Sequence, residues 1–285
     1  MCQTLNYTQT AHRLNITQPA VSQHIAYLES VYGMKLFEYR SRRLSLTEAG
    51  SILRDALEVM VHDERLIGEH IASLRGGRRT ISIGVTLTAG EYIIARPLAG
   101  FLAKRQDLQA RVVSADTEGL LEMLHEGTID CAFVEGFFDK SAYDWEVFSS
   151  ERLVAVCAPD HRFEREPETF EDLLGEHLIV REQGSGTRAV LEHALAAHNL
   201  SLGAFARTTE VSSINIIKAF VENDYGIAFL YEAAVEAECA RGILQALALN
   251  EQRIMHDIAF IWLKGSVFAS EFCNFAKDIA RETTG

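Results

Sequence analysis

The distribution of apolar and polar residues divides the chain into three regions of different periodicity. In the first fifty residues, two short stretches have apolar residues at helical spacing, and one long stretch between residues 48 and 75 has the same property. Beyond Gly77, short apolar runs of strand length alternate with amphipathic stretches of helix length. The pattern predicts a small helical domain, a long helix and then an α/β domain.

The second short helix begins after Thr17, which can cap it, and carries Pro19 in its first turn, where a missing N–H costs nothing. A helical stretch at 8–14 precedes it, and only residues 15–16 are left for the turn between them. This spacing is typical of a helix-turn-helix unit, although an ordinary amphipathic helix pair has the same periodicity. The apolar stripe of the second helix consists of Val21, Ile25 and Leu28.

The opposite face of that helix carries short, uncharged polar side chains. Such groups pair with base edges in the major groove and are poor clamps for phosphates. Further on, Leu44 and Leu46 alternate as in a strand beside three arginines, which favours a wing lying against DNA phosphates. We therefore predict DNA contacts at Thr17, Gln18, Pro19, Ser22, Gln23, Arg40, Arg42 and Arg43.

Residues 48–75 have the pattern of one long helix, begun by Thr47 and ended by Gly76 and Gly77. Apolar residues recur along it every seven positions, and a second row follows four positions on, interrupted by Glu64. This predicts a coiled-coil seam between subunits, with a helix packed on its own domain as the alternative. The predicted dimerisation residues are Leu53, Leu57, Met60, Ile67, Ile71 and Leu74.

The α/β region is predicted to contain a largely parallel sheet with helices packed on it. The predicted strands are 81–85, 111–114, 131–134, 153–157, 178–180, 227–230 and 258–263. The predicted helices between them include 91–105, 120–126, 187–198 and 214–223.

Three predicted helices of this region begin with hydroxyl groups just beyond the carboxyl end of a strand, the usual ligand side of an open α/β sheet. The richest is the segment 182–188, where free backbone N–H groups, two hydroxyls and a guanidinium meet at a helix start that favours an anion. We predict an anionic ligand at this edge, with Thr86, Thr88, Ser185, Gly186, Thr187, Arg188 and Ser212 as the candidate binding residues.

Two other interpretations of the segment 182–188 remain open. Gly184-x-Gly186-x-x-Ala189 matches a relaxed dinucleotide fingerprint, and Glu210 follows a later strand at a loosely suitable distance. An α/β enzyme with a nucleotide cofactor at this loop, fused to a DNA-binding domain, is therefore the alternative function. The plainest alternative is a glycine-rich loop in which Ser185 only caps a helix.

Charge confines DNA binding to the start of the chain. The formal net charge is −13, yet residues 1–50 contain five basic and three acidic side chains, so that the remainder carries −15. This acidic remainder argues against broad binding to nucleic acid or anionic membranes. Without a secretory signal or a membrane-spanning stretch, the protein is predicted to be cytoplasmic.

The residues offer little support for catalysis. The sequence has no Gly-x-Ser-x-Gly, no His-Glu-x-x-His and no phosphate-binding loop ending in Gly-Lys-Ser/Thr. The ten histidines and five cysteines form no short metal-ligand spacing. We therefore expect no enzyme activity, no metal and no cofactor.

The region from Asn6 to Gly50 resembles the amino-terminal winged helix-turn-helix domain of LysR-type transcriptional regulators. The resemblance rests on Ala11-x-x-Leu14-x-x-Thr17-Gln18-Pro19-Ala20-Val21-Ser22, Leu28-Glu29, Gly33-x-x-Leu36-Phe37 and Leu46-Thr47-x-Ala49-Gly50, and extends more loosely over the whole chain. Tyr39 departs from the pattern, since the family usually has an arginine there. The family also has most of another helix before Asn6, so the DNA-binding domain is expected to be truncated at its N-terminus.

The resemblance implies a multidomain protein. It would consist of a DNA-binding domain at 1–47, a linker and dimerisation helix at 48–77, and an effector domain at 78–285. That last domain would have two similar subdomains of the type 2 periplasmic-binding-protein kind, one at about 78–150 with 260–285 and the other at about 151–259. A small-molecule effector between them would modulate a homodimer or homotetramer bound to double-stranded promoter DNA.

Overall fold

The computed structural model describes residues 1–41, 43–74, 76–249 and 254–282. The chain forms two compact units, Met1–Glu64 and Arg65–Gly285. In the first unit, helices α1 and α2 are followed by two antiparallel strands and the start of a long helix. Their bounds are α1 Tyr7–Arg13, α2 Gln18–Tyr32, β1 Phe37–Arg40, β2 Arg43–Leu46 and α3 Glu48–Ser73.

The helix-turn-helix and the wing form as predicted. The Thr17 side chain caps α2 by accepting from the backbone N–H of Ala20 at 3.4 Å, and Gly33 ends the helix with φ +67°. Val21 is buried, so the apolar stripe of α2 does face inward. β1 and β2 pair from Phe37 opposite Leu46 to Arg40 opposite Arg43, which makes a hairpin with arginines at its tip.

Three residues, one in α2 and two at the start of α3, hold these helices against the chain that enters the wing. Glu29 accepts from the backbone N–H of Leu36 at 3.0 Å, and Thr47 donates its hydroxyl to the Lys35 carbonyl at 2.6 Å. At Gly50 a Cβ would stand 2.0 Å from the Leu36 carbonyl oxygen. A larger residue would therefore push α3 away from the chain that leads into β1. Packing therefore accounts for the Glu29, Thr47 and Gly50 positions of the motif.

The long helix α3 has 26 residues and ends close to the predicted stop. Leu66 lies in the core of the second unit, whereas five of the six residues of the predicted seam are exposed in the single chain and Leu53 is half-buried. Met60 is 64% exposed and Leu74 85%. An unpaired apolar row fits a contact with another subunit, and the dimerisation role stays a prediction.

In the second unit the described residues form a nine-stranded sheet with helices packed on it. The strands are β3 Arg79–Thr86, β4 Leu108–Ala115, β5 Cys131–Val134, β6 Tyr143–Cys157, β7 His177–Val180, β8 Arg207–Glu210, β9 Ile227–Tyr231, β10 Gln245–Ala246 and β11 Ile254–Leu263. The α-helices are α4 Ala95–Ala103, α5 Thr117–His125, α6 Gly186–Ala197, α7 Ile214–Glu222, α8 Glu232–Ala240 and α9 Ala269–Arg281, and a π-helix, Ala89–Ile94, leads into α4.

The strand order is β4-β3-β5-β11-β6-β9-β7-β8, with β10 beside β6. The two ends of the sheet are parallel, but β5–β11, β11–β6 and β6–β9 pair antiparallel. The prediction of a largely parallel sheet was therefore wrong for the centre. The reason is β6, a strand of 15 residues that pairs with β11 along most of its length and with β9 at its end. It connects two halves that each have a parallel portion.

The main core of this unit runs through both halves. Fully buried aromatic residues include Phe133 and Phe260 in one half and Phe170 and Tyr231 in the other. No helix among the described residues is both long and apolar enough to cross a membrane.

Candidate effector site

A cavity of about 230 Å³ lies where β3, β4, β5 and β7 end, between the two halves of the sheet. Parallel strands direct their carboxyl ends to the same edge, so residues distant in sequence meet there. The lining comes from both halves and consists of Thr86, Leu87, Ser114, Ala115, Asp116, Glu135, Arg181, Glu182, Ser185 and Gly186.

Glu135 follows the last residue of β5 and is 2% exposed. Its backbone N–H donates to the Thr86 hydroxyl at 3.3 Å, and its carbonyl accepts from the Thr117 hydroxyl at 2.6 Å. Its carboxyl group crosses to the other half, where it accepts from the Thr187 hydroxyl with its two oxygens 3.3 and 3.4 Å away. A carboxyl of the protein thus occupies the start of α6.

Two buried threonines and an arginine continue this network. Arg181 donates from Nη1 to the Thr88 hydroxyl at 3.2 Å, and the Thr88 and Thr187 hydroxyls are 3.0 Å apart. Both hydroxyls also hydrogen-bond with Glu135, so either threonine can be the donor in the contact between them. The guanidinium of Arg181 also makes two 2.8 Å bonds to Glu182, a bidentate pair.

The carboxyl groups of the site differ in their tendency to ionise. Burial raises the pKa of Glu135 to about 7, although hydrogen bonds from Thr88 and Thr187 and the charge of Arg181 act in the opposite direction. Partial burial also acts to raise the pKa of Glu182, but the Arg181 hydrogen bonds outweigh it and hold that pKa below its ordinary value. The cavity therefore contains one arginine, already paired, and three acidic side chains, Asp116, Glu135 and Glu182.

Gly186 allows the close contact between α6 and Glu135. A Cβ at this position would stand 2.4 Å from Glu135 Cγ and 2.9 Å from its carbonyl oxygen. The glycine thus makes room for the protein's own chain, and that is the place where the dinucleotide interpretation would put a pyrophosphate.

Ser185 is 5% exposed and lines the cavity. It stands at the N-cap position of α6, but its side chain makes no capping hydrogen bond. Its Oγ has no hydrogen-bond partner among the described residues. Since buried hydroxyls are normally bonded, this donor is available to a ligand. Ser185 therefore occupies the cap position, as the plainest interpretation expects, but its side chain does not cap the helix.

The predicted effector residues fall into three groups. Thr86, Ser185 and Gly186 line the cavity, and Thr88 and Thr187 are buried behind it in contact with Glu135 or Arg181. The lining residues that the structure describes do not include Arg188 or Ser212. Arg188 donates to Glu192 and Glu210 instead, so ion pairs already compensate its charge, and Ser212 is exposed after β8.

Sequence reasoning missed Glu135, Arg181, Ser114 and Asp116. A usable signal was present for the first two, because each is the first charged residue after a fully apolar strand, 131–134 or 178–180. The rule that ligands bind beyond the carboxyl ends of strands therefore applies to these positions as it does to the hydroxyls.

The predicted DNA-binding residues lie on the first unit. Thr17, Gln18, Pro19 and Gln23 are exposed, and Ser22 is half-buried and accepts from Gln18 Nε2 at 3.0 Å. On the wing, Arg40 and Arg43 are exposed opposite each other, and Arg40 pairs with Glu38 at 2.7 Å. Arg42 lies outside the described residues.

Two family models together match nearly the whole chain. Residues 1–51 match the bacterial regulatory helix-turn-helix protein of the lysR family, and residues 74–279 match the LysR substrate binding domain. The chain belongs to the LysR family of transcriptional regulators. Its relatives are named as regulators of transcription, and the family is not one of enzymes.

This LysR-type regulator is similar over most of its length to named transcriptional regulators. It is 32% identical to the HTH-type transcriptional regulator CbbR of Rhodospirillum rubrum, over 89% of this chain and 83% of that protein. It is 29% identical to the HTH-type transcriptional activator CmpR of Synechocystis, over 96% and 91% of the two chains.

Solved structures share the fold. A Corynebacterium glutamicum OxyR C206 mutant aligns with TM-score 0.66 and 23% identity, covering 99% of this chain and 88% of that one. The Synechocystis CcmR regulatory domain in complex with 2-PG aligns with TM-score 0.61 and 23% identity, over 71% and 97%. The effector binding domain of QuiR in complex with shikimate gives TM-score 0.61 and 18% identity, over 72% and 97%. The first likeness covers nearly the whole chain and the other two the effector domain, and all three concern the fold alone.

Proposed function

We propose that this LysR-type regulator binds a small anionic effector in the cavity between the two halves of its effector domain, and that occupancy changes its binding to promoter DNA. The observation that carries this proposal is the Ser185 hydroxyl, which is buried, lines the cavity and lacks a hydrogen-bond partner among the described residues. It lies at the start of α6, where the helix dipole favours negative charge.

The other lining groups define the effector further. Thr86 and Ser114 offer hydroxyls, and Arg181 lies at the same wall, which suits an acidic group of the ligand. Asp116 and Glu182 offer only acceptors while they are ionised, so the ligand should also carry donors such as hydroxyls. A small hydroxy acid meets both requirements and is of a size that fits about 230 Å³.

DNA recognition is assigned to the exposed polar face of α2 and to the arginines of the wing. A homodimer or homotetramer held by the exposed apolar row of α3 would present two such units to two half-sites. Two linked contacts bind far more tightly than either alone, so a change in subunit arrangement is an effective way to regulate binding.

The test is calorimetric titration of shikimate, 2-PG, acetate and sulfate, paired with footprinting on the promoter DNA upstream of the gene that encodes this regulator. We expect at least one of these anions to bind and to alter the footprint. Ser185→Ala should lose most of that affinity, and Ser270→Ala, at an exposed serine of α9, should keep it. Equal binding by both variants would place the effector outside this cavity.

A further inference from the structure

Glu135 sets a condition on any anion that enters the cavity. Its carboxyl already accepts from the Thr187 hydroxyl at the start of α6, and the only arginine among the described lining residues is paired in bidentate fashion with Glu182. With Asp116 and both glutamates ionised, the site holds three negative charges against one positive charge. An anion added to that arrangement would be repelled by the net negative charge around it.

We propose that binding of an anionic effector is coupled to the uptake of one proton by Glu135, which makes this residue a determinant of effector charge. This inference rests on the proposed function. The reaction is balanced by solvent: the carboxylate of Glu135 takes a proton from the buffer and becomes a carboxylic acid. The acid can still hydrogen-bond with Thr187, and as a donor it can also bond to an oxygen of the effector.

The surroundings assign the proton to Glu135 and not to a neighbour. Its pKa of about 7 places it among groups that can change charge near neutrality. Burial raises the pKa of Tyr231, which therefore stays neutral, and the guanidinium of Arg181 is held in its bidentate pair with Glu182. Burial lowers the pKa of His256, and its Nε2 accepts the Gly136 N–H at 3.1 Å. This imidazole is therefore already neutral at pH values above the ordinary histidine pKa of 6.5.

The other two acidic groups of the cavity have surroundings that do not favour proton uptake. The pKa of Glu182 is held down by Arg181, and Asp116 is exposed and caps α5 by accepting from the Gly119 N–H at 2.8 Å. A proton bound between pH 6.5 and 8.5 is thus expected on Glu135. Anion affinity should fall by up to about tenfold for each pH unit above 7, because an ionised Glu135 must first be protonated.

The experiment titrates shikimate, acetate and sulfate into the full chain by calorimetry between pH 6.5 and 8.5. The charge of these probes does not change in that range. Each titration is run in two buffers of different ionisation enthalpy, and the difference gives the number of protons taken up. We expect about 0.5 at pH 7 and close to one at pH 8 for wild type. Glu135→Gln should bind with no uptake and no pH dependence.

Glu182→Gln is the matched control, since it removes a charge from the same cavity without removing the titrating group. It should bind the anion more tightly at every pH and still take up a proton. An infrared band of a protonated carboxyl that grows when shikimate is added to wild type gives a second measurement, should Glu135→Gln fail to fold.

The possible failures are distinguishable. Anion binding by wild type without proton uptake overturns the coupling and leaves the proposed function standing. The same uptake in Glu135→Gln assigns the proton elsewhere and also overturns the inference. If neither these three anions nor 2-PG binds to wild type or to Glu182→Gln, the proposed anionic effector is refuted, and the coupling with it.

Discussion

The hydroxyl oxygens of Thr88 and Thr187, which are 99 positions apart in sequence, are 3.0 Å apart across the two halves of the effector domain. Both side chains are at most 1% exposed. Neither hydroxyl is displayed to the cavity, so their role is to hold the wall behind it. The arrangement of Glu135 and Arg181 depends on this pair, because Arg181 bonds to Thr88 and Glu135 bonds to both threonines.

The first prediction concerns this contact. Thr187→Val keeps the shape of the side chain but leaves Thr88 and Glu135 with one buried partner fewer, which should lower the free energy of unfolding by about 1–3 kcal/mol. It should also weaken the response to effector, while operator binding without ligand stays nearly unchanged. Urea denaturation and operator titration measure the two effects. Thr208→Val, at an exposed position of β8, serves as the control. A full effector response in Thr187→Val would contradict the assigned role.

A second prediction follows from the space at Gly186. Replacing glycine by alanine normally stabilises a helix. In Gly186→Ala, however, the added Cβ would overlap Glu135 Cγ, and we expect a loss of about 1–3 kcal/mol of stability. At Gly68 in α3 a Cβ meets nothing within 4 Å, so Gly68→Ala should stabilise by about 0.5–1 kcal/mol. Thermal unfolding of the two variants should shift in opposite directions, and a stabilised Gly186→Ala would refute the close contact.

A third prediction is the pH dependence of stability. The folded-state pKa of Glu135, about 7, lies above the ordinary 4.5, so the folded protein binds more protons than the unfolded chain between these values. The contribution of Glu135 to the free energy of unfolding is therefore fully present below pH 4.5 and is lost as the pH rises through 7. The total loss is at most on the order of 3 kcal/mol. Glu135→Gln should be more stable than wild type at pH 8 and lose that advantage towards pH 5. A constant difference between the two proteins across this range would rule out the raised pKa.

For DNA recognition we predict different effects from the helix and the wing. Gln18→Ala or Gln23→Ala should relax the preference at particular base pairs by about 1–3 kcal/mol. Arg43→Ala should weaken binding to all sequences similarly and reduce the dependence on salt, because it removes a phosphate contact. Footprinting with mutant operators at several salt concentrations separates the two effects. Equal weakening of every site by all three variants would show that α2 does not read bases.

A fifth prediction tests the seam on α3. Ile67→Glu would place an unpaired charge in a subunit contact and should split the oligomer, with loss of operator affinity. Ala72→Glu adds the same charge to an exposed position of the same helix outside the two apolar rows, and should leave the oligomer intact. Sedimentation velocity distinguishes these results. An unchanged assembly in Ile67→Glu would mean that the row contacts something other than a second subunit.

Local signals were sufficient to predict much of the architecture. The cap at Thr17, the stop at Gly33 and the apolar runs that became β3, β5 and β9 depend on neighbours within a few residues. The first part of β6 could not be predicted in this way, because residues 144–152 are half-buried or exposed and six of the nine are polar. Its strand conformation comes from pairing with β11, a distant segment.

The candidate site shows the same limit. Hydroxyls beyond the strand ends could be predicted, since each belongs to a local strand-to-helix transition. The presence of the Glu135 carboxyl at the start of α6 could not, because 52 positions separate Glu135 from Thr187 and only the fold brings them together. The same applies to Arg188. The sequence predicted that its guanidinium binds the ligand, but in the fold it pairs with Glu210, 22 positions away.

The path of β6 and β11 also determines how this regulator can be recombined with its relatives. Ser150 and Asp257 are cross-strand partners, so the chain leaves for the second half and returns from it at adjacent points. Topologically, the stretch between them is an insertion with neighbouring ends, and it can be exchanged as one cassette through two junctions side by side. Such a chimera keeps Glu135 and Thr88 from one parent and takes Arg181, Ser185 and Thr187 from the other. Under the proposed function the cassette carries only part of the effector site, so the residues that contact each other between the two halves have to be chosen as compatible pairs.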